Sequence, residues 1–107
     1  MSASKYKLKI LKLAQHELEE IALIHMELVG TESARRVTDR IHNALQKLQS
    51  HPHMGVLCSN KLLPLEDYRM LICDHYLCIY RLIDQTVYVY HIVDGRTNYP
   101  RLLEDLL

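Results

Sequence analysis

Apolar and polar positions change rhythm along this chain, and each rhythm predicts an element. Residues 5 to 10 alternate Lys, Tyr, Lys, Leu, Lys, Ile, which is the period-2 pattern of a strand with one buried face and a lysine edge in water. The alternation slips at Ile10 and Leu11, where a strand should end and a helix begin. From about Ala14 to Val29, apolar positions recur at spacings of three and four through Ala14, Leu18, Ile21, His25 and Leu28. Ala22 and Val29 widen that stripe, and Glu17, Glu19 and Glu20 sit in the early turns, where the positive end of the helix dipole favours them. Gly30 reads as the residue that terminates this helix, and Thr31 or Ser33 as a cap for the next. A second helix, from about Glu32 to Gln49, gathers Ala34, Val37, Ile41, Ala44, Leu45 and Leu48 on one side. With so short a connection, the two must fold back as an antiparallel hairpin.

Pro52 cannot continue the second helix, and Gly55 permits the turn that follows. Residues 56 to 67 show no clear rhythm. Three strands then follow, Tyr68 to Cys73, Tyr76 to Ile83 and Thr86 to Val93, joined by the short loops Asp74-His75 and Asp84-Gln85. They are apolar at nearly every position, a pattern that implies cover on both faces of a sheet. Two helices cover only one face, so a second polypeptide is expected over the other. The tail ends in RLLEDLL, which predicts a last helical turn or two. The order is β-α-α-β-β-β: an α+β fold, with a helix hairpin packed on a small antiparallel sheet, in a single domain over residues 1–107.

Composition narrows the function classes. Lysine plus arginine and aspartate plus glutamate both number 13, so the chain is neutral and has no global field to draw it to nucleic acid or to an anionic membrane. The 3 cysteines, without a CxxC pair, predict reduced thiols in a cytoplasmic protein. No apolar run approaches the roughly 20 residues needed to span a bilayer. The N-terminal residues MSASKYKLK do not read as a secretion signal.

Candidate chemistry concentrates in the C-terminal half. If arginines avoid the helices, Arg69 and Arg81 mark the sheet face turned away from them, with Leu71, Leu77 and Ile79 between the two cations. An apolar strip edged by arginine has the composition of a protein interface. Cleaving RNA through its 2′-hydroxyl needs a base, an acid and cations to hold the phosphate. Arg69, Arg81, His91, Arg96, Tyr99 and Arg101 are the residues available for such work. His51, His53 and Cys58, and then Cys73, His75 and Cys78, lack the paired spacing of a tetrahedral metal site, so neither a metal nor a cofactor is expected. Strand alternation would also place Cys73 and Cys78 on different faces. No P-loop, GxGxxG or nucleophile elbow is present.

An ordered set of residues carries a resemblance over almost the whole chain. A short strand leads into Ala14-x-x-Glu17-Leu18, and a second helix closes in Leu48-x-x-x-Pro52-x-x-Gly55. Tyr68-Arg69, Tyr76-x-x-x-Tyr80-Arg81 and His91-Ile92-x-x-Gly95-Arg96-x-x-Tyr99 follow. This set resembles the RelE/ParE superfamily of type II toxin–antitoxin toxins, also known as plasmid stabilisation proteins. The resemblance implies a bacterial toxin neutralised by a cognate antitoxin whose C-terminal segment wraps it, as a hetero-oligomer or a homodimer. One branch of the superfamily cleaves messenger RNA in the ribosomal A site with basic sheet residues and a C-terminal tyrosine. The other lacks those residues and poisons DNA gyrase. By the same resemblance, Arg69 matches the first basic strand residue of the nuclease branch and Arg96 its C-terminal arginine, while Leu71 and Leu77 stand where it has further cations. Tyr99 falls about three residues before that branch's tyrosine. The expected function is therefore growth inhibition, with the gyrase-directed branch preferred. The alternatives are a ribosome-dependent mRNA endoribonuclease and a degenerate toxin that retains only antitoxin binding.

Overall fold

The computed structural model describes residues 5–58 and 67–95. In chain order the elements are β1 (Lys7–Ile10), α1 (Lys12–Leu28), α2 (Thr31–Lys47), β2 (Val56–Leu57), β3 (Tyr68–Cys73), β4 (Tyr76–Ile83) and β5 (Thr86–Asp94). They build one sheet in the order β1-β5-β4-β3-β2, with the helix hairpin on one side. The α+β architecture is the one the sequence rhythm predicts. Two details differ. A two-residue edge strand, β2, sits in the stretch that showed no rhythm, paired antiparallel to β3. The first strand joins β5 in parallel, so the sheet is mixed. A parallel partner needs a long crossover, and the helix hairpin lies in the path between β1 and the remaining strands. The predicted tail helix, Arg96, Tyr99 and Arg101, and most of the stretch from 56 to 67, lie outside the described residues.

The helix hairpin forms where the apolar spacing places it. Ala14 and Leu18 of α1, with Val37, Ile41 and Leu45 of α2 and Leu48 just beyond it, close over Leu71, Tyr76, Cys78, Tyr80, Val87, Val89 and Ile92 of the sheet. Gly30 takes φ +117°, a backbone that L side chains rarely adopt, and its N–H donates to the His25 carbonyl at 3.0 Å to end α1. No side chain caps α2: Gly30 itself is the cap residue, and the Ser33 hydroxyl turns instead to His25 Nδ1 at 3.1 Å. The predicted stripe of α1 fails at its C-terminal end. Leu28 and Val29 are 79% and 70% exposed.

The sheet is apolar on both sides because it serves two clusters. One is the helix-side core. The other, on the far side, joins Cys58, Tyr68 and Ile79, with Met70 and Tyr90 packed against them. Leu77 and Ile79, expected to lie open for a partner, are 8% and 0% exposed within this chain. A bulge in β5, opposite Ile79 and Tyr80 of β4, inserts an extra residue, so Val89 and Ile92 both reach the helix side although they are three apart.

Candidate functional site

The antiparallel register decides where the two arginines go. Tyr68 pairs with Arg81 and Arg69 pairs with Tyr80, so Arg69 and Arg81 stand on opposite faces of the sheet. The single face carrying both cations with Leu71, Leu77 and Ile79 does not exist. Leu71 is buried in the helix-side core, and Arg69 shares its side. The same register places Cys73 and Cys78 together on the helix side rather than apart, since Cys73 pairs with Tyr76 and Leu71 with Cys78.

Arg69 is committed to the backbone. Its Nη1 donates to the Gly55 carbonyl at 2.8 Å and to the His53 carbonyl at 3.3 Å. The buried Tyr80 completes the tie: its hydroxyl donates to the Pro52 carbonyl at 2.8 Å and accepts from the Gly55 N–H at 2.9 Å. A Cβ on Gly55 would stand 2.7 Å from the Tyr80 hydroxyl and 2.9 Å from the Met70 carbonyl, which is why this position is glycine. Together Arg69 and Tyr80 pin the turn between α2 and β2 to the middle of the sheet.

Arg81 lies across the far face. Its guanidinium carbon is 5.4 Å from the Tyr68 ring centroid, and its Nη2 is 3.7 Å from the exposed Asp67 carboxylate. Its buried Nε has no hydrogen-bond partner among the described residues. Desolvation would lower its pKa, but the facing hydroxyls of Tyr68 and Tyr90 outweigh that and raise it, so the group stays charged.

His91 is 5% exposed, and its Nδ1 lies 3.1 and 3.2 Å from the two carboxylate oxygens of Glu17. An ionised carboxylate has no proton to give, so Nδ1–H donates. The Ile92 N–H donates to Glu17 Oε1 at 3.0 Å. Glu17 of α1 therefore occupies the edge of β5 beyond Val89, the residue with which β1 ends its pairing at Ile10. A histidine so held serves to fix α1 against the sheet, and it is poorly presented to an external substrate.

The three cysteines are free thiols. Burial pushes Cys58 and Cys73 above the ordinary thiol range, with Asp74 adding to the effect at Cys73, and burial pushes Cys78 up to about 12. The Tyr80 hydroxyl is also raised, chiefly by burial, against the Gly55 hydrogen bond and the Arg69 charge. Among the described residues, no group of three His, Cys, Asp or Glu side chains is placed to hold a metal ion. None of the described helices is long and apolar enough to cross a membrane.

What the surface does offer is a set of exposed apolar side chains on α1. Leu23, Ile24, Met26, Leu28 and Val29 are about half exposed or more. With about 3.6 residues per turn they spread around the helix; Ile24 and Leu28, one turn apart, share a face, and the exposed Glu20 and Glu27 flank Ile24 on it. The spacing places Leu28 and Val29 on the buried stripe and leaves Leu23, Ile24 and Met26 off it; which of them end up covered depends on packing between distant segments, which no local pattern carries.

No curated protein matches the chain in direct sequence comparison. Solved structures share the fold. A chain of the chromosomal ParDE system from P. aeruginosa superposes with a TM-score of 0.72 at 19% identity, covering 86% of this chain and 98% of that one. A chain of the toxin–antitoxin complex RelBE2 from Mycobacterium tuberculosis does so with a TM-score of 0.64 at 15% identity, covering 84% and 98%. The family model described as ParE toxin of type II toxin–antitoxin system, parDE, matches residues 8–99. That match spans β1 through β5 and continues past them, and with the helix hairpin on its five-stranded sheet the chain belongs to the ParE toxin family.

Proposed function

We propose that this chain is a growth-inhibiting toxin held inactive by a cognate antitoxin, and that its target is DNA gyrase rather than messenger RNA. The observation that carries the preference is the state of Arg69. A cation that grips a scissile phosphate needs free N–H groups, and Arg69 spends Nη1 on two backbone carbonyls. The remaining described candidates do not join it: Arg81 lies on the opposite face, and His91 is buried against Glu17. Transition-state charge in phosphoryl chemistry is stabilised by groups that converge. These do not.

The antitoxin reading is supported by the family and by the exposed Ile24–Leu28 face of α1. Ile24 and Leu28 give an amphipathic segment of a partner an apolar seat, and the neighbouring Glu20 and Glu27 favour lysine or arginine on that segment. Induction of the chain alone should stop growth, and co-expression with the adjacent gene product should restore it. Purified toxin should then alter supercoiling by gyrase while primer extension on cellular mRNA shows no discrete cuts. Discrete cuts with gyrase unaffected would transfer the function to the ribosome-dependent nuclease. Unimpaired growth on induction would leave a chain that only binds its antitoxin.

A further inference from the structure

We propose that a cleft of about 200 Å³ between α2 and the β3–β4 turn binds a phosphate group. One wall is a single face of α2, with Ser33, Arg36 and Arg40 at successive turns. Facing it are Asp74, His75 and Tyr76, and His25 of α1 closes the end. The site lies apart from Arg69, Arg81 and His91, none of which lines it.

The donors outnumber the acceptors in this cleft. Arg40 is paired, Nη1 to Asp74 Oδ2 at 2.8 Å, and that pair cancels. Arg36 has neither an ion pair nor a hydrogen bond to any described residue, so the cleft keeps one uncompensated guanidinium. A chain of hydrogen bonds runs along the closed end, from Ser33 Oγ to His25 Nδ1 at 3.1 Å and from His25 Nε2 to the Tyr76 hydroxyl at 2.8 Å. Where His25 Nδ1 carries the proton it donates to Ser33 Oγ, which then keeps its own O–H to offer an anion. On the opposite rim the His75 ring packs against the Tyr76 ring, tilted by 37° with centroids 4.4 Å apart. Ser33 stands in the first turn of α2, whose N-terminus no side chain caps, so the positive end of the helix dipole adds to the field.

Size selects the ligand class. Pockets for whole metabolites run from about 300 Å³ upward. At about 200 Å³, room for roughly six waters at ~30 Å³ each, this one suits a single oxyanion with its first ester substituent. A guanidinium that forks onto two oxygens favours a phosphate over a halide. Two sources share this chemistry, a terminal phosphate monoester and a phosphodiester of a polynucleotide backbone.

The test uses the full chain, labelled for amide NMR, with inorganic phosphate titrated against chloride at constant ionic strength. Saturable shifts are expected at the amides of Ser33, Asp74 and His75. Arg36 is exposed and outside both cores, so Arg36→Ala should fold normally and weaken the phosphate affinity about tenfold, the loss of one charge-assisted contact. Arg36→Lys should recover part of it. A short DNA without terminal phosphates serves as competitor. If it displaces inorganic phosphate, the ligand is a backbone phosphodiester; if only 5′-phosphorylated DNA does so, it is a monoester. Shifts that match those of chloride, or an unchanged binding curve in Arg36→Ala, overturn the proposal. The readout does not depend on toxicity, so it stands or falls separately from the choice of gyrase as target.

Discussion

At the scale of single residues, the side chains that look most like chemistry are engaged in holding the fold. The pair Tyr80-Arg81 and the dipeptide Tyr68-Arg69 are legible in the sequence as a signature, but their roles are not. Nothing in a linear pattern says that Tyr80 reaches back 28 positions to Pro52, or that Arg69 follows it to Gly55. Removing the Tyr80 hydroxyl leaves a buried Gly55 N–H without an acceptor, so Tyr80→Phe should cost about 1–3 kcal/mol in urea unfolding. Arg69→Ala should likewise lower stability, by about 1–2 kcal/mol, as two carbonyls lose a charged donor. If Arg69 acts only through the turn, the toxicity of the surviving folded protein should be unchanged in that variant. A folded, stable but non-toxic Arg69→Ala protein would return the residue to the functional surface.

At the scale of elements, periodicity located both helices and the three long strands, but not the faces they present. Face assignment from the positions of two arginines failed because a strand pair has its own register, and that register is set by turn geometry. Both hairpin loops begin with an aspartate in the left-handed region, Asp74 at φ 56° and Asp84 at φ 55°. Aspartate tolerates that backbone better than most residues, and a β-branched side chain does not. Asp84→Val should therefore destabilise the β4–β5 hairpin by about 1–2 kcal/mol, read as a lower urea midpoint. Glu17 supplies a second element-scale test, because it replaces a strand at the open edge of β5. In Glu17→Ala the Ile92 amide loses its acceptor, and its hydrogen exchange should accelerate selectively over that of Val87 and Val89. On the outer side of α1, Ile24→Glu with Leu28→Glu removes two exposed apolar contacts, each worth about 1.5–3 kcal/mol if buried by a partner. The double variant should fold as before and bind its antitoxin at least tenfold more weakly by calorimetry. Equal affinity would move the antitoxin to another surface.

At the scale of the whole molecule, the near-continuous apolar character of the strands has an internal explanation, namely a sheet with a cluster on each side. Apolar strands alone point to a missing partner, because no local pattern shows that Cys58 and Tyr68 gather on Ile79. The burial that results also sets the response to pH. Cys58, Cys73, Cys78 and Tyr80 all have acid groups raised above their ordinary values, chiefly by burial. When a folded acid is weaker than its unfolded counterpart, the unfolded chain sheds protons first as pH rises, so alkali favours unfolding. The stabilisation is complete below the unfolded thiol value of 9.0 and is lost progressively up to the folded value, which for Cys78 is about 12. One unit above the unfolded value, Cys78 alone should cost about 1.4 kcal/mol, and the other three groups can only steepen the slope. Urea unfolding under reducing conditions should therefore show stability flat from neutral pH to about pH 8.5 and falling by more than that amount at pH 10. Cys78→Ala should flatten the alkaline limb while leaving the contributions of Cys58 and Cys73 in place. A wild-type profile that stays level through pH 10 would mean that these thiols are open to water in the folded protein, and would count against the packing of both clusters.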